Sequence, residues 1–395
     1  MQLTLPLSTL GVFGLSESRW HVDTRLLLPV LALLSIGLIM VASASLSFAE
    51  HRLGDKFFFI KRHMAYLLVS AGAMAVGFFV SPKIWADYGR LWMLLAVLLL
   101  IIVLIPGIGR EVNGSRRWLA FAGFTLQVSE LVKVATVVFL AAHLAKHRNT
   151  LSDDWPEFLR LIVVITVLAF LLLMEPDFGS AVTLSCTFMA LLFLGGSHIR
   201  QFSLVFAIGG GAIWALAYAA PYRLARLATF MDPWADPFDS GYQLVQSLIA
   251  FGRGEWFGVG LGQSVQKMLY LPEAHTDFVF AIFAEEFGFV GVVVLLALYT
   301  VMIIRILQLG KLAIGRQDWY AAFVLIGFGL LLSGQTFINL GVNAGLLPTK
   351  GLTLPFVSYG GSSLLVCCAM IGMMMRFSHD FQSPRAAARR TRNVN

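Results

Sequence analysis

Long apolar runs recur along most of this chain, and short polar or basic stretches separate them. As helices, these runs are long enough to cross a bilayer core of about 30 Å. The pattern predicts ten spanning helices, at about residues 25–47, 62–80, 88–106, 129–146, 158–174, 179–196, 201–220, 278–305, 318–342 and 353–376. Residues 221–277 form the one long connection of mixed polarity.

Composition agrees with this pattern. Hydrophobic residues make up 58% of the 395 residues and charged residues only 13%, with a mean hydropathy of +0.79. A soluble domain carries about 25% charged residues. We therefore predict an all-α, polytopic integral membrane protein. Its parts are an N-terminal segment (1–24), a membrane domain (25–376) and a basic tail (377–395).

Basic residues indicate the orientation. The tail from residue 376 onward has five arginines and one acid, which favours a cytoplasmic C-terminus. An even number of spans places both termini on that side, and seven spans precede Asp277, so the long loop faces outward. The first 24 residues lack a basic region followed by an apolar core, so we expect no cleavable signal peptide. Basic loops facing anionic lipid explain the net charge of +7 without a nucleic-acid partner.

Several familiar sites are missing or incomplete in the sequence. It has no P-loop motif and no HExxH zinc motif. The stretch "FGRGEWFGVGLG" has five glycines between residues 252 and 262, but their spacing does not match GxGxxG. A close-packed loop or re-entrant segment is predicted there. Three cysteines lie in apolar runs and are expected to be packed free thiols; they are Cys186, Cys367 and Cys368.

Acidic side chains crowd the start of the eighth predicted span, in "YLPEAHTDFVFAIFAEEFG" (270–288). Asp277 has two interpretations. Thr276 or Asp277 could cap the helix that follows, or the Asp277 carboxylate could accept a proton from a substrate hydroxyl as a general base. His275 could shuttle protons, but an exposed loop histidine is the favoured interpretation, and Glu273 has no assigned role.

Glu285 and Glu286 follow Asp277 by eight and nine residues, or about 12–14 Å along a helix. Neither can share a reacting centre with Asp277, so both are predicted to give structural support, paired inside the bundle or in a wet cavity. Glu130 and Lys133 are three residues apart and are predicted to form a structural ion pair. Turn and capping chemistry explains the pair Glu175 and Asp177.

Basic residues on the predicted outer side suggest an anionic ligand there. Arginine binds phosphate oxygens bidentately and lysine binds them as a point charge, so a lipid carrying pyrophosphate would suit this face. The alternative is that these residues contact lipid headgroups. The residues are Arg110, Arg116, Arg117, Arg223, Arg226 and Lys350.

Several long motifs are familiar in this order along the chain. They include "NGSRRWL" (113–119), "EPDFGS" (175–180), "MDPWADP" (231–237), "YLPEAHTDFVFAI" (270–282) and "PTKGLTLPFVSYGGSS" (348–363). From about residue 30 to 376 the chain resembles the SEDS family of bacterial envelope proteins. The Thr-Lys pair before Gly351 resembles the cell-division branch of that family. "EPDFGS" stands where Gln-Pro-Asp-Leu-Gly-Thr is commoner, and "QVSE" where Gln-Pro-Ser-Glu is.

The resemblance implies a ten-helix peptidoglycan glycosyltransferase that polymerises lipid II on the outer face of the inner membrane during cell division. It implies that Asp277 is the catalytic residue. Functionally sensitive positions of the family fall on Arg116, on Lys350 and on the "SYGGSS" run, where substrate binding is predicted for Ser358, Gly360, Gly361 and Ser362. Arg223 and Arg226 are weaker candidates for holding the pyrophosphate.

The family also implies partners. These are lipid II, a class B penicillin-binding protein, other divisome proteins and membrane lipids. No cofactor is assigned and no dedicated metal cage is evident, although a divalent cation (Mg or Mn) could help to neutralise the diphosphate.

Two other functions share the same features. A lipid II flippase would need functional charges at mid-membrane, reachable from both sides, and broken helices in corresponding halves. The key charges instead concentrate at the predicted outer mouth, which favours chemistry there. A non-catalytic divisome scaffold would leave Asp277 unexplained.

Overall fold

A computed structural model describes residues 21–112, 114–121, 124–148, 151, 154–218, 230–239, 241–348 and 351–382. The first half of the described chain contains helices α1 (Thr24–Leu53), α2 (Phe58–Phe79), α3 (Pro82–Asp87), α4 (Gly89–Leu104), α5 (Val128–His147) and α6 (Trp155–Met174). The second half contains α7 (Phe178–Leu194), α8 (Ile199–Tyr218), α9 (Tyr242–Gly254), α10 (Val279–Gly315), α11 (Trp319–Asn343) and α12 (Gly361–Gln382).

Seven of the described helices are long and apolar enough to cross a membrane: α1, α2, α5, α6, α10, α11 and α12. Helices α4 and α7 are apolar but shorter. The helical membrane architecture expected from the hydropathy pattern is therefore confirmed. The count of ten spans stays a prediction.

Small residues allow the helices to approach closely. A Cβ added to Gly77 of α2 would lie 2.5 Å from the backbone oxygen of Ala369 in α12. One added to Gly372 of α12 would lie 2.0 Å from the backbone oxygen of Met74 in α2. Membrane helices associate through such backbone proximity because lipid supplies no hydrophobic driving force between them. Helices α2 and α12 therefore pack as a closely fitted pair.

Three short strands lie between α4 and α5, which the sequence analysis did not predict. Strands β1 (Arg110–Val112), β2 (Ser115–Phe121) and β3 (Phe124–Gln127) form an antiparallel sheet in the order β1-β2-β3. Gly114 has a φ of 73° in the tight β1-β2 connection, a conformation that glycine adopts without strain. The apolar-to-polar pattern had suggested only a loop here.

Several predicted helix boundaries were wrong by a turn or more, and two of them by more than two turns. The tenth span was expected from residue 353, but α12 begins at Gly361, because the Ser358 hydroxyl accepts from the Leu354 amide at 2.8 Å and Phe356 has a φ of 67°. The eighth span was expected to end at residue 305, but α10 continues to Gly315. Arg305 lies inside it and forms an ion pair of 2.7 Å with Asp23, the N-cap of α1.

The described part of the long 221–277 connection contains helix α9 and the glycine-rich stretch, which packs against α10. Helix α10 is interrupted at Gly288, whose φ is 65°. A Cβ there would lie 2.3 Å from the backbone nitrogen of Gly258, and a Cβ on Gly258 would lie 2.1 Å from the Glu286 carbonyl oxygen. The glycines thus allow backbone to contact backbone. None of the three cysteines forms a disulfide; Cys367 and Cys368 are buried as expected, whereas Cys186 is exposed, which corrects the expectation that it is packed.

Candidate functional site

Several connections meet at one end of the helix bundle. Arg117 of β2 reaches the turn between α6 and α7, where its Nε donates to the Glu175 carbonyl oxygen at 3.1 Å and its Nη2 to the Pro176 carbonyl oxygen at 2.9 Å. The Ser362 hydroxyl at the start of α12 donates to the Thr125 carbonyl oxygen at 3.0 Å. These contacts join the sheet, the α6-α7 turn and the start of α12 into one surface.

Asp277 lies at this same end, immediately before α10. It does not cap the helix: the N-cap is Phe278, with no side-chain hydrogen bond, so the capping interpretation of Thr276 and Asp277 was wrong. Two asparagines of α11 hold its main chain instead. The Nδ2 atoms of Asn339 and Asn343 each donate to the Asp277 carbonyl oxygen at 2.9 Å. Asn343 also accepts from the Ala281 amide at 3.2 Å and so satisfies the helix terminus in place of a local cap.

The Asp277 side chain is half-buried, and among the described residues it makes no hydrogen bond or ion pair. Gly351 lies beside it, since an added Cβ there would be 3.0 Å from Asp277 Oδ2. Burial, followed by the charge of Glu273, raises the pKa of Asp277 to about 7; Arg117 opposes this and Asp177 adds to it. A carboxyl with a pKa near neutrality can both accept and release a proton at physiological pH.

Glu175 and Asp177 differ in their surroundings. Asp177 is buried and well bonded. Its Oδ1 accepts from the Ser180 amide at 3.1 Å, which caps α7, and its Oδ2 accepts from the Ser129 hydroxyl at 2.9 Å. Glu175 is fully buried, and neither carboxyl oxygen has a partner among the described residues. Burial, together with the charge of Asp177, raises the pKa of Glu175 to about 8 despite Arg117, so this carboxyl is largely neutral at pH 7.

The structure describes only some of the basic residues that were predicted to bind the substrate. Arg116 is half-exposed and pairs with Glu111 across the β1-β2 ladder, with Nε 3.0 Å from Oε2. Lys350, Arg223 and Arg226 lie outside the described residues. The arginine that the structure brings to the acidic groups is Arg117, whose Nη1 lies 4.0 Å from Asp177 Oδ1.

The "SYGGSS" run forms the framework beside Asp277. The Ser358 hydroxyl closes the turn before α12. A Cβ on Gly361 would lie 2.2 Å from the Tyr66 ring, and one on Gly360 would lie 3.0 Å from Thr353. Ser362 accepts from the Gln127 amide at 2.8 Å. This run joins α12 to β3 and α2, and its predicted substrate contacts stay a prediction.

His275 is buried, which corrects the expectation of an exposed loop histidine. Its ring lies 4.5 Å from that of Phe59, 5.3 Å from that of Phe48 and 5.7 Å from that of Tyr359. Burial lowers the pKa of His275, although the charge of Glu273 raises it. The imidazole is therefore neutral at pH 7 and packs as an aromatic side chain. Glu273 remains exposed and accepts from the Thr276 hydroxyl at 2.6 Å.

Glu285 and Glu286 are buried and bind the long loop to α10. Glu285 accepts from the Ser264 hydroxyl at 2.5 Å and pairs with Arg253 at 3.1 Å. Glu286 pairs with Lys267 at 2.6 Å and accepts from the Ser43 hydroxyl of α1 at 2.7 Å. Their partners come mainly from the loop, whereas the sequence analysis had placed these pairs inside the bundle or in a wet cavity.

Glu130 and Lys133 form the ion pair that their spacing predicted. Lys133 Nζ donates to Glu130 Oε1 at 2.8 Å, and both side chains are buried in α5.

Asn339, Asn343 and Arg117 are the residues that were not predicted for the site. Asn339 and Asn343 are one helical turn apart in an apolar run, and polar side chains in such a run are a signal that could have found them.

Known proteins share most of the length of this chain. Residues 24–383 match the model of the FtsW, RodA and SpoVE family, described as "Cell cycle protein". The chain is 46% identical over 365 residues to the "Probable peptidoglycan glycosyltransferase FtsW" of Saccharophagus degradans, covering 92% of this chain and 94% of that protein. It is 49% identical over 360 residues to the protein of the same name from Thioalkalivibrio sulfidiphilus, covering 91% of this chain and 90% of that one.

Solved structures show the same fold. A chain from a study of polymerization and crosslinking by a peptidoglycan synthase complex is 27% identical, with a TM-score of 0.75 over 92% of this chain and 99% of that one. The rod shape determining protein RodA of Thermus thermophilus is 26% identical, with a TM-score of 0.67 over 92% of this chain and 98% of that one. The match extends over nearly the whole described bundle, and the chain therefore belongs to the FtsW, RodA and SpoVE family of cell cycle proteins.

Proposed function

We propose that this chain is a peptidoglycan glycosyltransferase that polymerises lipid II into β-1,4-linked glycan strands, with Asp277 as general base. One observation carries the assignment of the base. Two buried asparagines fix the main chain of Asp277, while its carboxyl stays half-exposed and has no partner among the described residues. A group that is positioned by its backbone and free at its side chain suits proton transfer.

The reaction requires a base and a cation. The 4-hydroxyl oxygen of the acceptor N-acetylglucosamine attacks C1 of the donor N-acetylmuramic acid, and the bond from C1 to the pyrophosphate oxygen breaks with inversion. Undecaprenyl pyrophosphate leaves with that electron pair, and the hydroxyl proton passes to the Asp277 carboxylate. Positive charge near the pyrophosphate stabilises the negative charge that develops on it.

Arg117 is the described cation best placed for that task, because it acts electrostatically on Asp277 and lies 4.0 Å from Asp177. Its guanidinium already donates to two backbone carbonyl oxygens, so its orientation is fixed before the substrate arrives. Lys350 precedes Gly351, which contacts Asp277, and is a second candidate. Arg116, Arg223 and Arg226 would extend the basic surface, and a divalent cation (Mg or Mn) could share the charge.

The cellular setting belongs to the same proposal. The relatives are named as probable peptidoglycan glycosyltransferases FtsW, which supports septal synthesis at the inner membrane. The Asp277 end of the bundle would face outward, with both termini in the cytoplasm. A class B penicillin-binding protein is the expected partner, because one solved neighbour belongs to a peptidoglycan synthase complex.

The test uses purified full-length protein together with its class B penicillin-binding protein and lipid II. Wild type, Asp277→Asn and the control Glu273→Gln are compared for glycan polymer on gels. Asp277→Asn keeps the carbonyl that the asparagines hold and removes only the base, so it should fold normally and lose at least about 100-fold in rate. Glu273→Gln should retain polymerisation within a few-fold.

Three outcomes are distinguishable. Polymer from Asp277→Asn at the wild-type rate would reject the base assignment. Movement of lipid II between leaflets without polymer from any variant would favour the flippase. A partner complex that forms normally while neither wild type nor variant makes polymer or moves lipid would favour the scaffold.

A further inference from the structure

Two histidines and a glutamate form a cluster at the end of the bundle opposite Asp277. His143 and His147 lie one turn apart near the end of α5, and Glu157 lies in the first turn of α6. Helix α6 has 20 residues and ends beside Glu175, so the cluster lies about 30 Å from the proposed active site. The proposed function uses none of these three side chains.

Their ligand atoms already converge. One atom from each of His143, His147 and Glu157 lies within 4.8 Å of the others, and all three residues are half-buried. His143 Nε2 is 2.6 Å from Glu157 Oε1, as in a charge-assisted contact. The imidazole and the carboxylate are therefore held side by side before any ion binds.

The two imidazole rings stack with their centroids 4.4 Å apart and their planes 27° apart. Two protonated rings at that separation would repel each other. At least one ring of the pair is therefore neutral and keeps a nitrogen lone pair. Histidines four residues apart on a helix face are a common arrangement for chelating a metal ion.

Surrounding contacts orient these groups. His147 Nδ1 lies 3.1 Å from the His143 carbonyl oxygen, a contact that holds the ring against its helix. Arg160 Nη1 donates to Glu157 Oε2 at 2.7 Å and leaves Oε1 toward His143. Asp154 Oδ1 accepts from the Glu157 amide at 3.1 Å and fixes the first turn of α6. Metal ligands typically have partners of this kind.

We propose that His143, His147 and Glu157 bind one Zn²⁺ ion that joins α5 to α6 on the side of the bundle away from Asp277. Two imidazoles and one carboxylate are an established zinc ligand set, with water in the fourth position. The hard cations Mg²⁺ and Ca²⁺ prefer oxygen ligands only, so this set selects against them. The guanidinium of Arg160 adds positive charge beside the ion, so the affinity is lower than that of a thiolate site.

The experiment measures Zn²⁺ binding directly. Full-length protein with its affinity tag removed is purified in detergent, stripped with a chelator and titrated with Zn²⁺ against a chromophoric indicator. Wild type should bind one equivalent. Losing an outer-shell partner typically weakens metal binding about 10–100-fold, and a lost ligand costs at least that, so His147→Ala should bind at least about 100-fold more weakly. The matched control His51→Ala, an exposed histidine at the other end of the bundle, should bind as wild type does.

Thermal unfolding provides a second readout. Zn²⁺ should raise the Tm of wild type and of His51→Ala but not of His147→Ala, because only an ion bound to the folded state stabilises it. Co²⁺ should give the visible spectrum of a tetrahedral site in wild type and in His51→Ala, but not in His147→Ala. Absence of Zn²⁺ binding by wild type, or equal binding by wild type and His147→Ala, would overturn the proposal. Polymerisation by Asp277 is a separate measurement, and neither result affects it.

Discussion

The carboxamide of Asn343 bonds to both sides of the turn that presents Asp277. Its Nδ2 donates to the Asp277 carbonyl oxygen at 2.9 Å, and its Oδ1 accepts from the Ala281 amide at 3.2 Å. One side chain from α11 therefore completes the first turn of α10 and fixes the residue before it. Asn339 adds a second donor to the same carbonyl at 2.9 Å.

Replacing this carboxamide should lower both the stability of the fold and the rate of polymerisation. In Asn343→Leu, the Asp277 carbonyl keeps one partner while the Ala281 amide loses its side-chain acceptor. The Ala281 amide keeps its bond to the Phe278 carbonyl oxygen, so the two lost hydrogen bonds cost about 1–3 kcal/mol in total, and Asp277 loses part of its positioning. We expect a lower Tm and a fall in kcat of about 10-fold or more, with the affinity for the partner unchanged.

Gln335→Leu is the matched control, because Gln335 is also a buried amide of α11 and lies two turns before Asn343. Its Nε2 makes no hydrogen bond among the described residues. This substitution should leave polymerisation within about two-fold of wild type. Equal losses in the two variants would mean that Asn343 acts through general packing of α11.

The pH dependence of polymerisation should reflect Asp277. Its carboxyl must be ionised to accept a proton, and its pKa is raised to about 7. The value of kcat/KM should therefore rise with pH through about 7 and fall roughly tenfold for each pH unit below it. The profile is measured with lipid II between pH 5 and 9. A limb centred near 4, the ordinary value for an aspartate, would contradict this prediction.

Glu175 should make stability depend on pH. Its pKa of about 8 in the folded protein lies above the ordinary glutamate value of 4.5, so between these pH values the folded protein holds a proton that the unfolded chain releases. The contribution is fully present below about pH 4.5 and is lost as pH rises to about 8. Glu175→Gln removes this titration and should raise the free energy of unfolding relative to wild type by on the order of a few kcal/mol more at pH 8 than at pH 5, which is measured as a larger rise in Tm at pH 8.

That comparison contains its own control, since any packing change caused by glutamine would be present at both pH values. An identical difference in Tm at pH 5 and pH 8 would show that Glu175 does not titrate in this range. The variant also checks the activity profile, because its limb near pH 7 should persist if Asp277 is responsible.

The close contact between the loop and α10 can be tested by adding one methyl group at Gly258 and measuring stability. Gly258 has a φ of 80°, and an added Cβ would lie 2.1 Å from the Glu286 carbonyl oxygen. Gly258→Ala should destabilise the protein by about 1–3 kcal/mol or more through overpacking and backbone strain. Gly252→Ala is the control, because nothing lies within 4 Å of its added Cβ in helix α9 and alanine favours helix. Thermal unfolding should separate the two variants clearly.

Hydropathy along the chain was sufficient to predict the membrane helices, because a bilayer demands long apolar segments and the chain has little other reason to contain them. The i,i+3 spacing of Glu130 and Lys133 was equally informative, since both groups lie on one helix face. Local patterns failed where long-range partners decide the structure. His275 looked exposed because its neighbours in sequence are polar, whereas its aromatic contacts, Phe48, Phe59 and Tyr359, come from distant segments.

The candidate site was likewise predictable only in part from the sequence. Asp277 was found from its motif, but its anchors were not, because Asn339 and Asn343 are 62 and 66 residues away in the chain. Arg117 was predicted only as one of several outer basic residues, whereas the family resemblance favoured Arg116 for the site. Neighbouring residues on a strand point to opposite faces, and in β2 Arg116 pairs within the sheet while Arg117 reaches the acidic turn.

The attachment of the loop to the first turns of α10 has a mechanical consequence. Glu285 and Glu286 bind Ser264, Arg253 and Lys267 of the loop, and the helix that carries both glutamates starts two residues after Asp277. Loop and helix start therefore move as one body. A protein that binds the loop would therefore change the position of the Asp277 carboxylate, the proposed base, without touching the substrate.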